Sequence, residues 1–263
     1  MTVEPWQVAK LEVRAASSVP ELAAAAADQV FAILSAAVAE RGSANAMFAT
    51  GNSQIEFLGA LAERSGLAWD RVTIFHMDEY VGIPDDHPAS FRRYIRERIA
   101  EAVHPAAVHY VDGSSPDPVA ECARYAGLLR AHPLDLCCMG IGENGHLAFN
   151  DPGVADFDDP DDVKVVELDD ACRRQQVGEG HFPDVGAVPR SAITVTVPAL
   201  LRARAVVVIC PEVRKAPAVR GALEGPVTTE CPASILTTQA HATLYLDPGS
   251  ASLLDPSHRS RNG

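Results

Sequence analysis

The residues best suited to chemistry lie in one glycine-rich stretch, in which Asn144 precedes His146 and Asp151 follows it. A histidine is the side chain best suited to move protons near neutral pH. A nearby carboxylate can hold the imidazole in one tautomer and raise its basicity. An apolar run at residues 134–139 leads into the stretch and predicts a short buried strand. We therefore predict an active-site loop at the carboxyl edge of an α/β sheet.

The same stretch matches a dinucleotide-binding pattern only in part. Gly140, Gly142 and Gly145 are spaced as G-x-G-x-x-G, a pattern that requires a helix to start at the third glycine. Residues 150–153, Asn-Asp-Pro-Gly, interrupt the chain a few residues later, so no long helix can follow. We reject a nicotinamide-dinucleotide site on this basis.

Two other turns place polar residues after predicted strands. An apolar run at residues 72–77 ends in Asp78 and Glu79, which suits either a solvated turn or a carboxylate at the rim of a pocket. Residues 50–53, Thr-Gly-Asn-Ser, lie between a predicted strand and a predicted helix. A helix N-terminus there offers free N–H groups and a favourable dipole to an anion, although an ordinary capped helix has the same pattern.

The elements that must position these residues alternate along the chain. Residues 18–21, Ser-Val-Pro-Glu, resemble a capping box and predict a helix to Glu40 that Gly42 closes. Other helices are predicted at residues 55–65, 88–102, 118–131, 197–202 and 212–224, and strands at residues 44–49, 72–77, 109–111, 134–139, 163–168, 192–195, 205–210 and 242–246. This alternation predicts a mainly parallel sheet covered by helices on both faces. We expect one domain over residues 1–256 and a disordered tail at residues 257–263.

Composition excludes several classes of protein. The net charge of -13 argues against a nucleic-acid partner, since phosphate backbones demand a basic face. No apolar run reaches the roughly 20 residues that span a bilayer, and the N-terminus lacks the apolar core of a signal peptide. We therefore expect a cytoplasmic protein without a membrane partner. The six cysteines show no metal spacing, and the adjacent Cys137 and Cys138 should point to opposite faces of a strand as buried thiols.

Two longer motifs cover residues 75–82, F-H-M-D-E-Y-V-G, and residues 140–152, G-I-G-E-N-G-H-L-A-F-N-D-P. These motifs resemble the glucosamine-6-phosphate deaminase family, and the resemblance runs from about the first helix to the last strand. Shorter matches to the same family lie at residues 87–88, 90–91, 188–189, 192–195 and 214–216. The resemblance implies a three-layer α/β sandwich with a Rossmann-like sheet, shared with the 6-phosphogluconolactonases. It also implies conversion of glucosamine 6-phosphate and water to fructose 6-phosphate and ammonia, without a cofactor or a metal.

The resemblance implies a role for each matching residue. His146, oriented by Asp151 and Asn144, would open the sugar ring, and Asp78 would move a proton between C2 and C1. The residues implied to bind the substrate are Gly51, Asn52, Ser53, Glu79, Gly142 and Lys215. Losing either acid–base group should nearly abolish turnover, because each such group typically contributes roughly 10² to 10⁴-fold.

Two departures from the family lie beside His146. Asn144 stands where the family often has aspartate, and Asp151 stands where it often has glutamate. An asparagine orients a histidine without adding charge, so we expect His146 to be less basic than its counterparts. The shorter Asp151 side chain requires the geometry of the pocket to compensate.

Two further departures from the family concern basic side chains. The family's phosphate-binding arginine aligns with Gly178 or, with a gap, with His181, and Arg173 or Arg174 is the candidate replacement. The basic residues of the family's allosteric site are not evident around residues 161–166, so we do not predict activation by N-acetylglucosamine 6-phosphate. The exact sugar phosphate and assembly into a homo-oligomer are left open.

Two alternatives remain open from the sequence. A 6-phosphogluconolactonase would typically continue after the histidine with threonine-alanine-serine, whereas residues 147–150 are Leu-Ala-Phe-Asn. A non-catalytic sugar-phosphate sensor would not need both Asp78 and His146, and the chain lacks a basic recognition segment. We therefore favour an enzyme that acts on a small-molecule sugar phosphate.

Overall fold

A computed structural model of the protein describes residues 5–168, 170–178, 180 and 182–256; the predicted tail at residues 257–263 lies outside this part. The described strands are β1 (Trp6–Val8), β2 (Leu11–Ala15), β3 (Ala44–Phe48), β4 (Val72–His76), β5 (Asp78–Tyr80), β6 (Ala107–His109), β7 (Leu136–Met139), β8 (Val163–Glu167), β9 (Ser191–Val195), β10 (Ala205–Cys210) and β11 (Ala242–Leu246). The described helices are α1 (Val19–Arg41), α2 (Ile55–Ala62), α3 (Phe91–Ile95), α4 (Glu101–Val103), α5 (Pro118–Ala131), α6 (Asp170–Gly178), α7 (Val197–Leu201) and α8 (Ala216–Glu224).

The main sheet has eight strands in the order β1-β2-β11-β10-β7-β3-β4-β6. Neighbouring strands in this sheet run parallel to each other, except that β1 runs antiparallel to β2. The prediction of a mainly parallel sheet is therefore confirmed. The β1–β2 hairpin was not predicted, because its buried residues Trp6, Leu11 and Val13 are too few to stand out from the charged residues between them.

Helices cover both faces of this sheet. The side chains of Cys137 and Cys138 lie in different clusters of the core, as their adjacent positions in β7 predict. Residues of α1 and α2 pack with Cys138, whereas residues of α5, α7 and α8 pack with Cys137. This arrangement confirms the predicted three-layer sandwich.

Helix α1 has the predicted ends. The Ser18 hydroxyl accepts a hydrogen bond from the backbone N–H of Glu21, and Gly42 ends the helix with a φ of 78°. By length and composition alone α1 could cross a membrane, contrary to our inference from the sequence. Because Val30 and Leu34 are fully buried in the core, burial against the sheet also accounts for its apolar character.

A second sheet corrects the expected arrangement of strands. Strands β5, β9 and β8 form a separate antiparallel sheet in that order. The predicted strands at residues 163–168 and 192–195 therefore do not extend the main sheet. The chain leaves the main sheet after β4, and Asp78 then pairs with Thr194. The apolar pattern of these short strands is the same in either sheet, so it does not specify the partner.

Strand β5 lies in close backbone contact with Gly113. A Cβ atom placed on Gly113 would lie 2.1 Å from the Tyr80 carbonyl oxygen and 2.7 Å from Glu79 Cγ. The carbonyl of Gly113 also accepts a hydrogen bond of 2.7 Å from the N–H of Gly82. The strand can approach this closely only because residue 113 has no side chain.

This contact yields a prediction for stability. We expect Gly113→Ala to lower the free energy of unfolding by about 1–3 kcal/mol, since the added methyl group must displace backbone atoms. Gly127→Ala is the matched control, because Gly127 lies within α5 with no atom within 4 Å of an added Cβ; it should be neutral or stabilising. Urea unfolding of both variants measures the difference, and equal stabilities would contradict the close contact.

Candidate active site

A cleft with about 600 Å³ of empty space opens at the carboxyl edge of the main sheet. Loops that follow β10, β7, β3 and β4, which are consecutive neighbours in the sheet, contribute to its wall. Ligands of open α/β sheets bind at this edge. The predicted site residues that line the cleft are Gly51, Asn52, Ser53, Asp78, Gly142, His146 and Lys215.

Asn144 and Asp151 both contact Nδ1 of the His146 imidazole. Nδ1 of His146 lies 2.8 Å from Oδ1 of Asn144 and 3.1 Å from Oδ1 of Asp151. The Asn144 amide nitrogen donates to the same Asp151 oxygen at 2.7 Å. The shorter aspartate therefore reaches the imidazole without the extra methylene of a glutamate.

These contacts assign the tautomer of His146. A carboxylate only accepts hydrogen bonds, so the Asn144 amide must turn its nitrogen to Asp151 and its oxygen to His146. Both neighbours of Nδ1 are then acceptors, which places the proton on Nδ1 and leaves Nε2 as the free base. Burial by itself raises the pKa of Asp151, but hydrogen bonds and charge from His146, with the Asn144 amide, outweigh it and lower the pKa.

Glycines in the loop make room for the ring. A Cβ atom on Gly142 would lie 2.2–2.3 Å from three imidazole atoms of His146, so no other residue fits beneath the ring in this position. Gly145 has a φ of 88°, and a Cβ there would lie 2.7 Å from Cys231 Sγ. The absence of a side chain at residue 142 thus leaves room for the imidazole of His146.

Asp78 lies at the start of β5 with its side chain in the cleft wall. The residue is only 6% exposed, and its Oδ1 atom has no hydrogen-bond partner in the described part of the chain. Burial, and then the neighbouring charge of Glu79, raise the pKa of Asp78 well above its usual value. A carboxylate in this setting binds a proton more strongly than one in water, which suits it to act as a base.

Glu79 does not lie where we predicted it. Its side chain points away from the cleft and is fully buried. Its carboxylate accepts hydrogen bonds from the backbone N–H groups of Phe91 and Arg92 and from the Ser90 hydroxyl. Because successive side chains of a strand point to opposite faces, Asp78 and Glu79 cannot both face the substrate. Glu79 instead holds the N-terminus of α3, whose Phe91 lines the cleft.

The turn after β3 lines the cleft. Gly51 has a φ of 100°, and no side chain caps the single helical turn at Asn52–Gln54 that precedes α2. The buried Gln54 amide donates to Ser53 Oγ at 3.0 Å and to the Ile209 carbonyl at 3.2 Å. Since Ser53 Oγ accepts this bond, its own hydrogen remains available to another acceptor.

Lys215 contributes a positively charged side chain to the cleft. It lies just before α8 and is 4% exposed. Within the described ranges, no side chain forms an ion pair or a hydrogen bond with its ammonium group. A buried ammonium without a counter-ion is costly, so the cleft is suited to an anion.

Arg173 and Arg174 do not replace the missing arginine. Arg173 is buried outside the cleft, where its guanidinium donates to the carbonyl oxygens of Val185 and Val188. Arg174 is exposed and also lies outside the cleft lining. Of the aligned positions, Gly178 is exposed, and His181 lies outside the described residues. In the part of the chain that the structure describes, no group of three or more His, Cys, Asp or Glu side chains could hold a metal.

Several lining residues were missed from the sequence. Gln175 and Gln176 of α6 line the cleft, as do Phe91 and Phe149. Phe91 and Phe149 stack with their ring centroids 5.9 Å apart. Glutamine and phenylalanine are ordinary helix and core residues, so only the packing of α6 and the second sheet on the cleft distinguishes them.

Comparisons with known proteins identify the family of this chain. Residues 17–245 match the family described as glucosamine-6-phosphate isomerases/6-phosphogluconolactonase. A glucosamine-6-phosphate deaminase from Exiguobacterium sibiricum is 38% identical over 185 residues, which cover 70% of this chain and 71% of that one.

Solved structures extend the comparison. A monomeric glucosamine-6-phosphate deaminase matches with a TM-score of 0.83 and 28% identity, over 92% of this chain and 99% of that one. A 6-phosphogluconolactonase from Shewanella baltica OS155 shares the fold, with a TM-score of 0.72 and 18% identity over 94% of this chain and 100% of that one. The chain therefore belongs to the family of glucosamine-6-phosphate isomerases and 6-phosphogluconolactonases.

Proposed function

We propose that the protein is a glucosamine-6-phosphate deaminase, which converts glucosamine 6-phosphate and water to fructose 6-phosphate and ammonia. The observation that carries the proposal is one cleft that contains His146 with its tautomer fixed by hydrogen bonds, a buried Asp78 and a buried Lys215. The deaminases at 38% and 28% identity support the same activity. The lactonase structures are similar in fold alone.

His146 opens the sugar ring in this proposal. Its free Nε2 takes the proton of the C1 hydroxyl, and the resulting imidazolium returns a proton to the ring oxygen as the C1–O5 bond breaks. Asn144 and Asp151 stabilise the imidazolium, because both present acceptors to Nδ1–H. The amide of Asn144 adds no charge, so Asp151 supplies the electrostatic part of this stabilisation.

Asp78 then transfers a proton from C2 to C1 of the open aldehyde. It removes the C2 proton to give an enol-like intermediate and returns a proton to C1. One proton of the amine passes to the C1 oxygen, which leaves a hydroxyl at C1 and an imine at C2. Water hydrolyses this imine to the ketone of fructose 6-phosphate and releases ammonia. Asp78 lines the cleft and suits this step, in which one group removes and returns the proton.

The phosphate binds to the turn of residues 51–53 and to Lys215. The backbone N–H groups of this turn and the Ser53 hydroxyl supply hydrogen bonds, and the ammonium of Lys215 supplies the positive charge. This set takes the place of the family's phosphate-binding arginine, because no arginine lines the cleft in the part of the chain that the structure describes.

Other expectations remain predictions. We expect a cytoplasmic protein that needs no cofactor or metal and binds neither nucleic acid nor a membrane. We also predict a single domain over residues 1–256 and leave a homo-oligomer open; the deaminase with a TM-score of 0.83 is described as monomeric.

The first functional prediction concerns Asp78. The wild-type protein should release ammonia from glucosamine 6-phosphate, and Asp78→Asn should lower kcat by at least about 100-fold, because the base is lost. An ammonia-coupled assay measures both, beside hydrolysis of 6-phosphogluconolactone. Asp158→Asn, at an exposed position outside the cleft, is the control and should keep full activity.

The outcomes of this assay separate the alternatives. Lactone hydrolysis without ammonia release would show a lactonase. Tight sugar-phosphate binding without any product would show a sensor.

The second functional prediction concerns pH. Asp78 must be ionised to accept the C2 proton, so kcat/KM rises as pH increases through its pKa. Burial and Glu79 raise this pKa, so the acid limb of the kcat/KM profile should lie well above the pH of about 3.9 at which an ordinary aspartate titrates. A limb near that ordinary value would contradict the assignment of Asp78 as the base.

The third functional prediction concerns the phosphate. Lys215→Met should raise KM for glucosamine 6-phosphate by about tenfold or more, since a charged hydrogen bond to the phosphate is lost. Turnover of unphosphorylated glucosamine, measured at high concentration, should change little. Arg98→Met, at an exposed position away from the cleft, is the control. Equal losses with both sugars would place Lys215 outside phosphate recognition.

A further inference from the structure

Gln176 lines the cleft but has no part in the chemistry above. It lies on α6, is 5% exposed, and accepts a hydrogen bond of 2.5 Å from the Tyr80 hydroxyl through Oε1. Hydrogen bonds of the O–H···O type span about 2.5–3.0 Å, whereas N–H···O bonds span about 2.7–3.2 Å. The short distance therefore assigns the amide oxygen to Tyr80 and leaves the amide nitrogen on the other side.

The amide nitrogen of Gln176 has two hydrogens to donate. Among the described residues, Nε2 has no hydrogen-bond partner. An amide in a largely buried position needs a partner for its donors, and a cleft supplies one from water or from a ligand. The Gln176 side chain thus presents an uncharged, oriented hydrogen-bond donor to a water molecule or ligand in the cleft.

Tyr80 fixes the position of this donor relative to Asp78. The tyrosine is fully buried, and its ring packs against Phe91, Phe149 and Phe182 at centroid distances of 5.0, 5.3 and 5.3 Å. Tyr80 follows Asp78 by two residues in β5, so both side chains lie on the same face of the strand. Gln176 is therefore tied to the strand of the proposed base and not to the turn that would bind phosphate.

We propose that Gln176 donates a hydrogen bond to a sugar hydroxyl at C3 or C4, with Tyr80 as the positioning residue that orients its amide. These carbons lie between the reacting centre and the phosphate-bearing end. A neutral amide suits a neutral hydroxyl, whereas Lys215 and the turn already supply the charge for the phosphate. Sites that pair with a substrate hydroxyl discriminate strongly against analogues that lack it, so Gln176 determines part of the sugar specificity. The inference rests on the proposed function.

The test compares Gln176→Met, which keeps the length of the side chain without its donors, with wild type. KM for glucosamine 6-phosphate should rise about fivefold to twentyfold with kcat within about twofold, because a binding contact is lost. Competitive inhibition by inorganic phosphate should not change. Gln7→Met, at an exposed position in β1, is the matched control, and thermal unfolding by circular dichroism checks that each variant folds.

Tyr80→Phe tests the positioning without altering Gln176. It keeps the stacked ring and removes the hydroxyl that orients the amide, so KM should rise by a smaller factor. The double variant should match Gln176→Met alone, since Tyr80 acts only through the amide. Additive effects would show that Tyr80 has a separate, structural role and would overturn this part of the inference.

The outcomes distinguish this inference from the proposed function. An unchanged KM in Gln176→Met, with ammonia released by wild type, overturns the inference and leaves the function standing. An equal weakening of the competitive inhibition by inorganic phosphate also overturns the inference, because the amide would then bind the phosphate. If wild type releases no ammonia, the function fails, and calorimetric titration with glucosamine 6-phosphate still tests Gln176: an unchanged dissociation constant in the variant overturns the inference.

Discussion

The site depends on the parallel pairing of four adjacent strands. Pairing of β10 with β7, of β7 with β3 and of β3 with β4 brings their carboxyl ends to one edge of the sheet. Loops from distant parts of the chain, around residues 51–53, 140–146 and 215, therefore meet there. Without this pairing, neither the histidine nor the lysine would face a common ligand.

In the cleft, the surroundings of His146 and those of Asp78 affect the chemistry of each side chain in different ways. The His146 ring rests on Gly142 and is oriented by acceptors, so its free nitrogen is a base held in one direction. Asp78 has a buried oxygen without a partner in the described part of the chain, and burial raises its pKa. One group is thus oriented by hydrogen bonds, and the other is made more basic by the lack of solvent.

The second sheet connects Asp78 to the rest of the cleft wall. Asp78, Glu79 and Tyr80 are consecutive in β5, yet one faces the cleft, one holds the start of α3, and one packs among aromatic rings. The close contact with Gly113 keeps this strand in place. Stability and site geometry therefore depend on the same three-residue strand.

The sequence by itself determined the local elements and the residue types of the site loops. The ends of α1, the turn at residues 50–53 and the glycines around His146 all follow from capping and backbone freedom, which act over a few residues. Only the tertiary structure decided that β5 leaves the main sheet, that Glu79 is buried and that Gln176 faces the cleft. The reason is that these outcomes depend on contacts between distant residues, such as the Tyr80–Gln176 bond across 96 positions, which no local pattern encodes.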